Sequence, residues 1–303
     1  MAVRPEVGAG VDDIDLTGRS VLVTGSTSGI GREAALALGR LGADIMVHGR
    51  DERAGQAVVA DLESLGVSAR FQVADFTDPA AVSRLAEAVE AWTDDLDRLL
   101  ANAGGLFRRG HLTDHGVERT FQVNHLAHFQ LTAELLPTFA TDARIITTAS
   151  GAHRGVDADF DGVTTINEYS GFKAYQRSKL ANVLFAAELA RRFDRTDRSM
   201  TAYSLHPGAI PGSGFFRFLP GPLTRLVRAL DGLPFLTSVA EGAQTPVYLA
   251  AADGLEELSG QYFADCAPRT PSTAARDRAA QRRLWERSVE LLDRPDPLAI
   301  AEG

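Results

Sequence analysis

The chain has 303 residues, 45% hydrophobic and 23% charged, the balance of a globular protein that can bury a substantial core. Its formal net charge of −9 argues against a general nucleic-acid or anionic-membrane binder, because phosphate-rich surfaces are met with excess Lys and Arg. One cysteine, Cys266, excludes an internal disulfide and a cysteine cluster for a structural metal, and no run of eighteen or more apolar residues marks a spanning helix.

The segment 1–17 carries Asp12, Asp13 and Asp15 without a basic start or an apolar stretch, so no secretory signal is expected and a cytoplasmic location is. From Ser20 onward, short β-branched runs alternate with longer segments of helical period, the pattern of βαβ units around a parallel sheet. The spacing predicts strands at 20–24, 44–48, 70–74, 96–100, 143–148, 200–205 and 261–264. Helices are predicted at 29–41, 51–65, 78 onward, 113–139, 172–193 and 239–251, with Asp51 as a cap and Asp78-Pro79 opening a first turn. The stretch 207–235 is irregular and rich in Pro, Gly and large apolar residues. The result is a single α/β domain over 18–270, a doubly wound parallel sheet of about seven strands with helices on both faces. An N-terminal extension covers 1–17, and a helical extension at 271–303 is anchored by Leu284 and Trp285. Both ends are expected to fray.

Between the first strand and first helix lies Thr24-Gly25-Ser26-Thr27-Ser28-Gly29-Ile30-Gly31. Glycines there let the backbone bend sharply and approach a pyrophosphate, while the helix start offers unpaired N–H groups and a positive dipole end. Glycines also close ordinary βα turns, so the position after the first strand strengthens the reading. At the end of strand two, Arg50 can make charge-assisted contacts to a ribose 2′-phosphate, which favours NADP(H); Asp51 beside it keeps NAD(H) open. The alternative is a solvated arginine at a helix start. Asp75 is placed to accept from an adenine amino group, with Phe76 offering backbone or ring contact, unless Asp75 is a simple helix cap. Asn102-Ala103-Gly104 ends strand four at the same carboxyl edge, where small residues let a flat ring lie on the backbone.

Tyr175 and Lys179 stand four residues apart on one predicted helix, so their side chains share a face. An ammonium near a phenol favours the phenolate, which would let Tyr175 shuttle an alcohol proton. Ser150, just past strand five, can hydrogen-bond a carbonyl oxygen whose charge grows as hydride arrives. Asn124 is polar within the apolar stretch Phe121-Gln-Val-Asn-His-Leu and is a candidate for a backbone or water link in a proton relay.

Together these motifs resemble the short-chain dehydrogenases/reductases over about residues 18–265. Thr24 to Gly31 is similar to that family's cofactor turn, Asn102-Ala103-Gly104 to its strand-four motif and Tyr175-Gln-Arg-Ser-Lys179 to its active-site motif. The resemblance implies a Rossmann-type fold with Asn124, Ser150, Tyr175 and Lys179 as a catalytic tetrad. It also implies that Lys179 binds the nicotinamide ribose hydroxyls, beside Tyr175, and that Pro207-Gly208 touches the carboxamide. Within the family, Arg144 to His153, Ser178 to Asn182 and Tyr262 to Cys266 look closest to retinol-dehydrogenase-like members, a subgroup that often uses NADP(H). Two departures are Ala101 before Asn102, where an asparagine is usual, and Gly212 where relatives place a threonine, with Ser213 as a substitute.

The resemblance further implies that about 209–236, with Phe215, Phe216 and Phe218, forms an apolar lid over a lipophilic alcohol or carbonyl substrate; core packing or a weak membrane-contact helix are the alternatives. It allows a homodimer or homotetramer through the family's fourth and sixth helices. His111, His115, His125 and His128 lack a convincing third ligand, so no metal is expected, and Cys266 reads as structural. The expected activity is NADP(H)-dependent alcohol/carbonyl interconversion. The alternatives are a cofactor-binding regulator without turnover and a dehydratase or epimerase on the same scaffold.

Overall fold

Parallel strands covered on both faces select continuous apolar runs, and in this chain those runs become the inner strands of one sheet. The computed structural model describes residues 3–208 and 238–299. In chain order, α1 (Pro5–Gly8) precedes β1 (Ser20–Val23), α2 (Gly29–Arg40), β2 (Asp44–Gly49), α3 (Glu52–Glu63), β3 (Ala69–Val73), α4 (Pro79–Glu90) and β4 (Leu96–Ala101). Then come α5 (Arg119–Phe121), a π-helical turn (Gln122–Leu126), α6 (Ala127–Glu134), β5 (Phe139–Thr148), α7 (Gly171–Phe193) and β6 (Thr201–His206). After the undescribed stretch follow α8 (Val239–Gly242), α9 (Gln244–Ala251), β7 (Tyr262–Ala264), β8 (Ala267–Arg269) and α10 (Arg278–Leu292).

The eight strands form one sheet in the order β3-β2-β1-β4-β5-β6-β7-β8, parallel except for the antiparallel β7–β8 pair. One apolar core lies between the sheet and α4, α6, α7 and α10, with Leu85, Leu126, Leu184 and Trp285 in it. The other lies under α2, α3 and α9, with Leu38, Val58 and Val247. Because β1 has β2 on one side and β4 on the other, the winding reverses there and opens a crevice at the carboxyl ends of β1 and β4. The glycine turn sits at that reversal.

Several expected boundaries need correction. The helix predicted from 113 begins at Arg119, because Gly116 (φ +75°) turns the chain and Thr113 N donates to Val117 O at 2.8 Å. The Glu118 carboxylate then caps the helix start, accepting from Thr120 N at 2.7 Å and Phe121 N at 3.0 Å. At the far end the helix stops at Glu134, and Phe139 already pairs with Leu96, so β5 starts four residues before the predicted 143. The helix predicted over 239–251 divides at Ala243, with Pro246, which has no N–H to give, in the first turn of α9. An eighth strand, β8, joins the predicted seven through a turn in which Asp265 (φ +53°) and Cys266 (φ +55°) are both left-handed.

The ends are not frayed within the described residues. Glu6 is buried and its carboxylate takes Arg40 Nε at 2.5 Å and Nη2 at 2.8 Å, while Val11 and Leu16 enter the core. On the other side α10 packs on α7. Trp285 lies edge-on to Phe129, with ring centres 4.8 Å apart, stacks near Phe185, carries the Arg192 guanidinium 4.0 Å from its ring centre and donates Nε1–H to Asp296 Oδ1 at 3.0 Å. Two buried arginines, Arg98 and Arg144, reach from β4 and β5 to the carbonyls that end α9, at 2.9 Å to Ala250 O and 2.6 Å to Ala252 O. Cations suit the negative end of a helix.

Candidate active site

The glycine turn is shaped by contact. A Cβ on Gly25 (φ +66°) would stand 2.8 Å from Ala103 Cα, and one on Gly31 would stand 2.5 Å from Gly25 O and 2.6 Å from Asn102 Nδ2. The turn is therefore pressed directly onto the end of β4. Thr24 Oγ1 accepts from Asn102 N at 2.8 Å and Ala103 N at 2.9 Å, and Asn102 Nδ2 donates to Thr24 O at 3.0 Å. The missing partner of Asn102, Ala101, is a buried strand residue, so these ties do not depend on it. Ser28, at the N-cap of α2, makes no side-chain cap bond, so the first-turn N–H groups remain for a ligand; Gly29 (φ +60°) and half-buried Ile30 complete the bend. The Thr27 side chain fills the space where a Cβ on Gly49 would lie, 2.5 Å from its methyl carbon. This narrow cradle, closed to a Cβ at Gly25, Gly31 and Gly49 and facing the start of α2, suits a dinucleotide pyrophosphate.

At the far side of the cradle, Arg50 projects into solvent with Nη1 3.6 Å from Asp75 Oδ2. Asp75 Oδ1 accepts from Thr77 N and Oγ1, both at 3.0 Å, and the cap of α4 is Asp78 instead. Ring contact from Phe76 is corrected. Its ring is buried, stacked on His48 at 4.4 Å between centres, and its carbonyl takes Gln122 Nε2 at 3.2 Å.

The four candidate catalytic residues come from three elements and converge: Asn124 from the π-helical turn, Ser150 from the turn after β5, and Tyr175 and Lys179 from α7. Ser150 stands beside the Tyr175 phenol and favours its charged form, and Lys179 Nζ lies 5.7 Å from the Tyr175 ring centre. Lys179 Nζ donates to Thr148 O at 2.8 Å, an acceptor shared with Asn182 Nδ2 at 3.0 Å. Ser150 begins a short 3-10 turn and its Oγ accepts from Ala152 N at 3.2 Å. Asn124 is locked by Gly105: Oδ1 accepts from Gly105 N at 2.8 Å, while Nδ2 donates to Gly105 O and Ser178 Oγ at 2.9 Å each. Gly104 fits between these groups, since a Cβ there would be 2.9 Å from Asn124 Oδ1 and 3.6 Å from Lys179 Nζ. Pro207 and Gly208 (φ +90°) leave β6 at the same edge, and His206 beside them lies against Gly151. The lid residues, with Gly212 and Ser213, lie outside the described residues.

Burial decides the charges. It raises the Tyr175 phenol above its ordinary value, against the pull of the Ser150 hydrogen bond, and it lowers Lys179 to about 8. The expectation that the ammonium draws Tyr175 toward phenolate is thus corrected: desolvation is the largest influence and acts the other way, so the phenol is protonated at neutral pH.

Three histidines missed by motif reading support the site. His48 bridges the ends of β1 and β3, with Gly25 N donating to Nδ1 at 3.2 Å and Nε2 donating to Ala74 O at 3.2 Å. His128 joins Thr24 to Asn124. His153 Nδ1 donates to Ser150 O at 2.6 Å, and its Nε2 accepts from Ser272 N at 3.1 Å. Their signal in sequence was adjacency to the motifs; the bridging depends on tertiary contacts. His125 and His128 serve separate partners rather than a common metal, His125 Nε2 meeting Ser288 Oγ at 3.0 Å. Among the described residues no group of three or more His, Cys, Asp or Glu is placed to hold a metal ion.

These imidazoles predict how stability depends on pH. Burial lowers His48 from 6.5 to about 4, and His125 and His128 to about 3. Below the ordinary value the unfolded chain takes up protons that the folded chain refuses, so stability is full above pH 6.5 and falls as pH drops toward 4. Melting temperature should be level between about pH 7 and 8 and decline steadily below that. A melting temperature that stays flat to pH 4 would show that these imidazoles are not buried neutral.

The family model for short chain dehydrogenase matches residues 19–215. The dehydrogenase/reductase SDR family member 13 of Bos taurus is 40% identical over 282 residues, covering 91% of this chain and 74% of that protein. Retinol dehydrogenase 12 of Bos taurus is 37% identical, covering 92% of this chain and 88% of its own. Among solved structures, a short chain dehydrogenase from Burkholderia cenocepacia in complex with NADP has a TM-score of 0.65 at 27% identity, covering 86% of this chain and 99% of its own. The chain belongs to the short-chain dehydrogenase/reductase family and is an oxidoreductase acting on CH–OH groups. Within that family it falls in the retinol-dehydrogenase-like subgroup.

Proposed function

We propose that the protein interconverts a lipophilic alcohol and its aldehyde or ketone with NADP(H), using Tyr175 as general acid/base. The observation that carries this is Lys179 Nζ 5.7 Å from the Tyr175 ring centre, with Ser150 beside the phenol, at the edge where the glycine cradle opens. When bound, the nicotinamide coenzyme supplies or takes up the hydride.

The chain's own groups do the rest. A substrate oxygen placed between the Ser150 and Tyr175 hydroxyls receives two hydrogen bonds as its charge grows, the situation in which preorganised donors are worth most. Tyr175, protonated at neutral pH, then gives its proton to that oxygen in reduction; oxidation runs the same transfer in reverse. Lys179, held by Thr148 O, offsets the charge left on the phenolate and lies where ribose hydroxyls are expected. Asn124 holds the Gly105 backbone and, with it, the floor of the site. Lipophilic substrates are favoured by similarity to a retinol dehydrogenase, and NADP(H) by Arg50 and by similarity to a structure containing NADP.

The test is titration of NADPH and NADH, followed by absorbance loss with a panel of lipophilic aldehydes and ketones. Tighter NADPH binding is expected, and Arg50→Ala should lower it by about ten- to a hundredfold with little effect on NADH, since charge-assisted hydrogen bonds contribute roughly 1.5–3 kcal/mol. Equal loss for both nucleotides would remove the 2′-phosphate role from Arg50. Binding without any turnover would indicate a regulator.

A further inference from the structure

We propose that His128 is a positioning residue that couples the cofactor platform to the catalytic asparagine through one imidazole. This rests on the functional reading above. The side chain is buried in α6, with Nε2 3.0 Å from Thr24 Oγ1 and Nδ1 3.2 Å from Asn124 O. Thr24 Oγ1 is the atom that ties β1 to β4 by accepting both Asn102 N and Ala103 N. Asn124 lies in the π-helical turn and faces Gly104, Gly105 and Ser178. His128 thus touches the two halves of the site from behind, one through a hydroxyl and the other through a backbone carbonyl.

The hydrogen-bond inventory fixes its tautomer. A carbonyl oxygen only accepts, so Nδ1 must carry the proton toward Asn124 O. Nε2 is then bare and accepts the Thr24 hydroxyl hydrogen at 3.0 Å, in preference to the more distant Leu100 carbonyl at 3.2 Å. That direction also suits Thr24, whose two lone pairs already receive Asn102 N and Ala103 N. The opposite tautomer would set a lone pair of Nδ1 against the carbonyl oxygen and press a third donor onto Thr24. Burial keeps the ring neutral, holding its pKa at about 3, so the bridge persists through the physiological range. His48 stands in the complementary tautomer at the other flank of Phe76, with its proton on Nε2.

Two substitutions separate the halves of the bridge. In His128→Asn the amide overlays Nδ1 and keeps a donor for Asn124 O, but nothing reaches Thr24. In His128→Gln the amide overlays Nε2 and serves Thr24, but Asn124 O loses its donor. The expected results diverge: His128→Asn weakens NADPH binding about tenfold with little change in the single-turnover rate on an aldehyde, while His128→Gln slows that rate about tenfold with NADPH affinity kept, each the effect of one buried hydrogen bond. Ring ¹⁵N NMR of the wild-type protein without nucleotide gives an independent reading, with Nδ1 protonated and Nε2 bare. The reverse tautomer, or two variants that change affinity and rate together, overturns the proposal. Should the variants fail to fold, the wild-type tautomer decides it. Should the wild type bind no nicotinamide nucleotide, the functional reading falls while the tautomer still decides the bridge.

Discussion

Tyr175→Phe is expected to lower carbonyl turnover by about a thousandfold while NADPH binds within a few-fold of wild type. General acid/base catalysis by a placed side chain contributes roughly 10²–10⁴, and Tyr175 stands beside a second oxygen donor, Ser150, that cannot replace it. The Ser150 hydroxyl, whose Oγ accepts from Ala152 N at 3.2 Å, can still donate a hydrogen bond, but an aliphatic hydroxyl is a far weaker acid than a phenol and does not give up its proton. The substitution keeps the ring, its packing and the 5.7 Å approach of Lys179 Nζ to the ring centre, so the helix and the cofactor cradle are left in place. NADPH titration by fluorescence and single-turnover absorbance on the same preparation separate the two effects. A variant retaining a tenth or more of the wild-type rate would mean that the proton comes from elsewhere. One that binds no NADPH would mean that the hydroxyl serves the cofactor and not the substrate.

The protonated resting state of Tyr175 also bears on direction. With Tyr175 as the proposed acid/base, reduction would start from the form that burial stabilises, whereas oxidation would need the phenolate and be favoured by higher pH. Lys179, lowered to about 8, loses its charge just where the phenolate would need it. The two titrations oppose each other in the oxidative direction and do not in the reductive one.

Much of this arrangement could be read from the residues because it is local. The inner strands are apolar runs, Asp51 and Asp78 cap α3 and α4 with bonds of 3.0 Å and 2.9 Å, and Tyr175 and Lys179 share a helix face because they are one turn apart. What sequence missed depends on tertiary contacts. The π-helical turn at Gln122–Leu126 has the same composition as an α-helix, since only the bonding changes, Ala127 N reaching Gln122 O. That turn is where Asn124 sits. The Glu6–Arg40 pair spans two elements and leaves no pattern, so the N-terminal segment looked free. β8 is three residues long and contains Pro268, a strand signal too short and too broken to stand alone. The buried histidines lie next to the motifs, but their roles follow from partners brought up by the fold: Thr24 for His128, Gly25 and Ala74 for His48, and Ser272 for His153.

Gly31→Ala is expected to cut NADPH affinity by about ten- to a hundredfold. In an ordinary helix position this change stabilises, by roughly 0.5–1 kcal/mol. Here the added methyl would stand 2.5 Å from Gly25 O and 2.6 Å from Asn102 Nδ2. Neither is the loose end of a side chain: Gly25 O is backbone in the turn, and Asn102 Nδ2 is held by Thr24 O at 3.0 Å. Relief requires α2 to draw back from β4, which moves the N–H groups after Ser28 away from the pyrophosphate position. Overpacking of this kind costs roughly 1–3 kcal/mol, and much of it falls on the bound geometry, because α2 remains anchored to the opposite core by Ala34, Leu38 and their neighbours. Titration of NADPH against the variant, with circular dichroism to confirm the fold, decides the point. Wild-type affinity would show that the close contact of turn and strand does not shape the cradle. A folded variant that has lost NADPH and NADH alike would tie the whole dinucleotide site to this one contact.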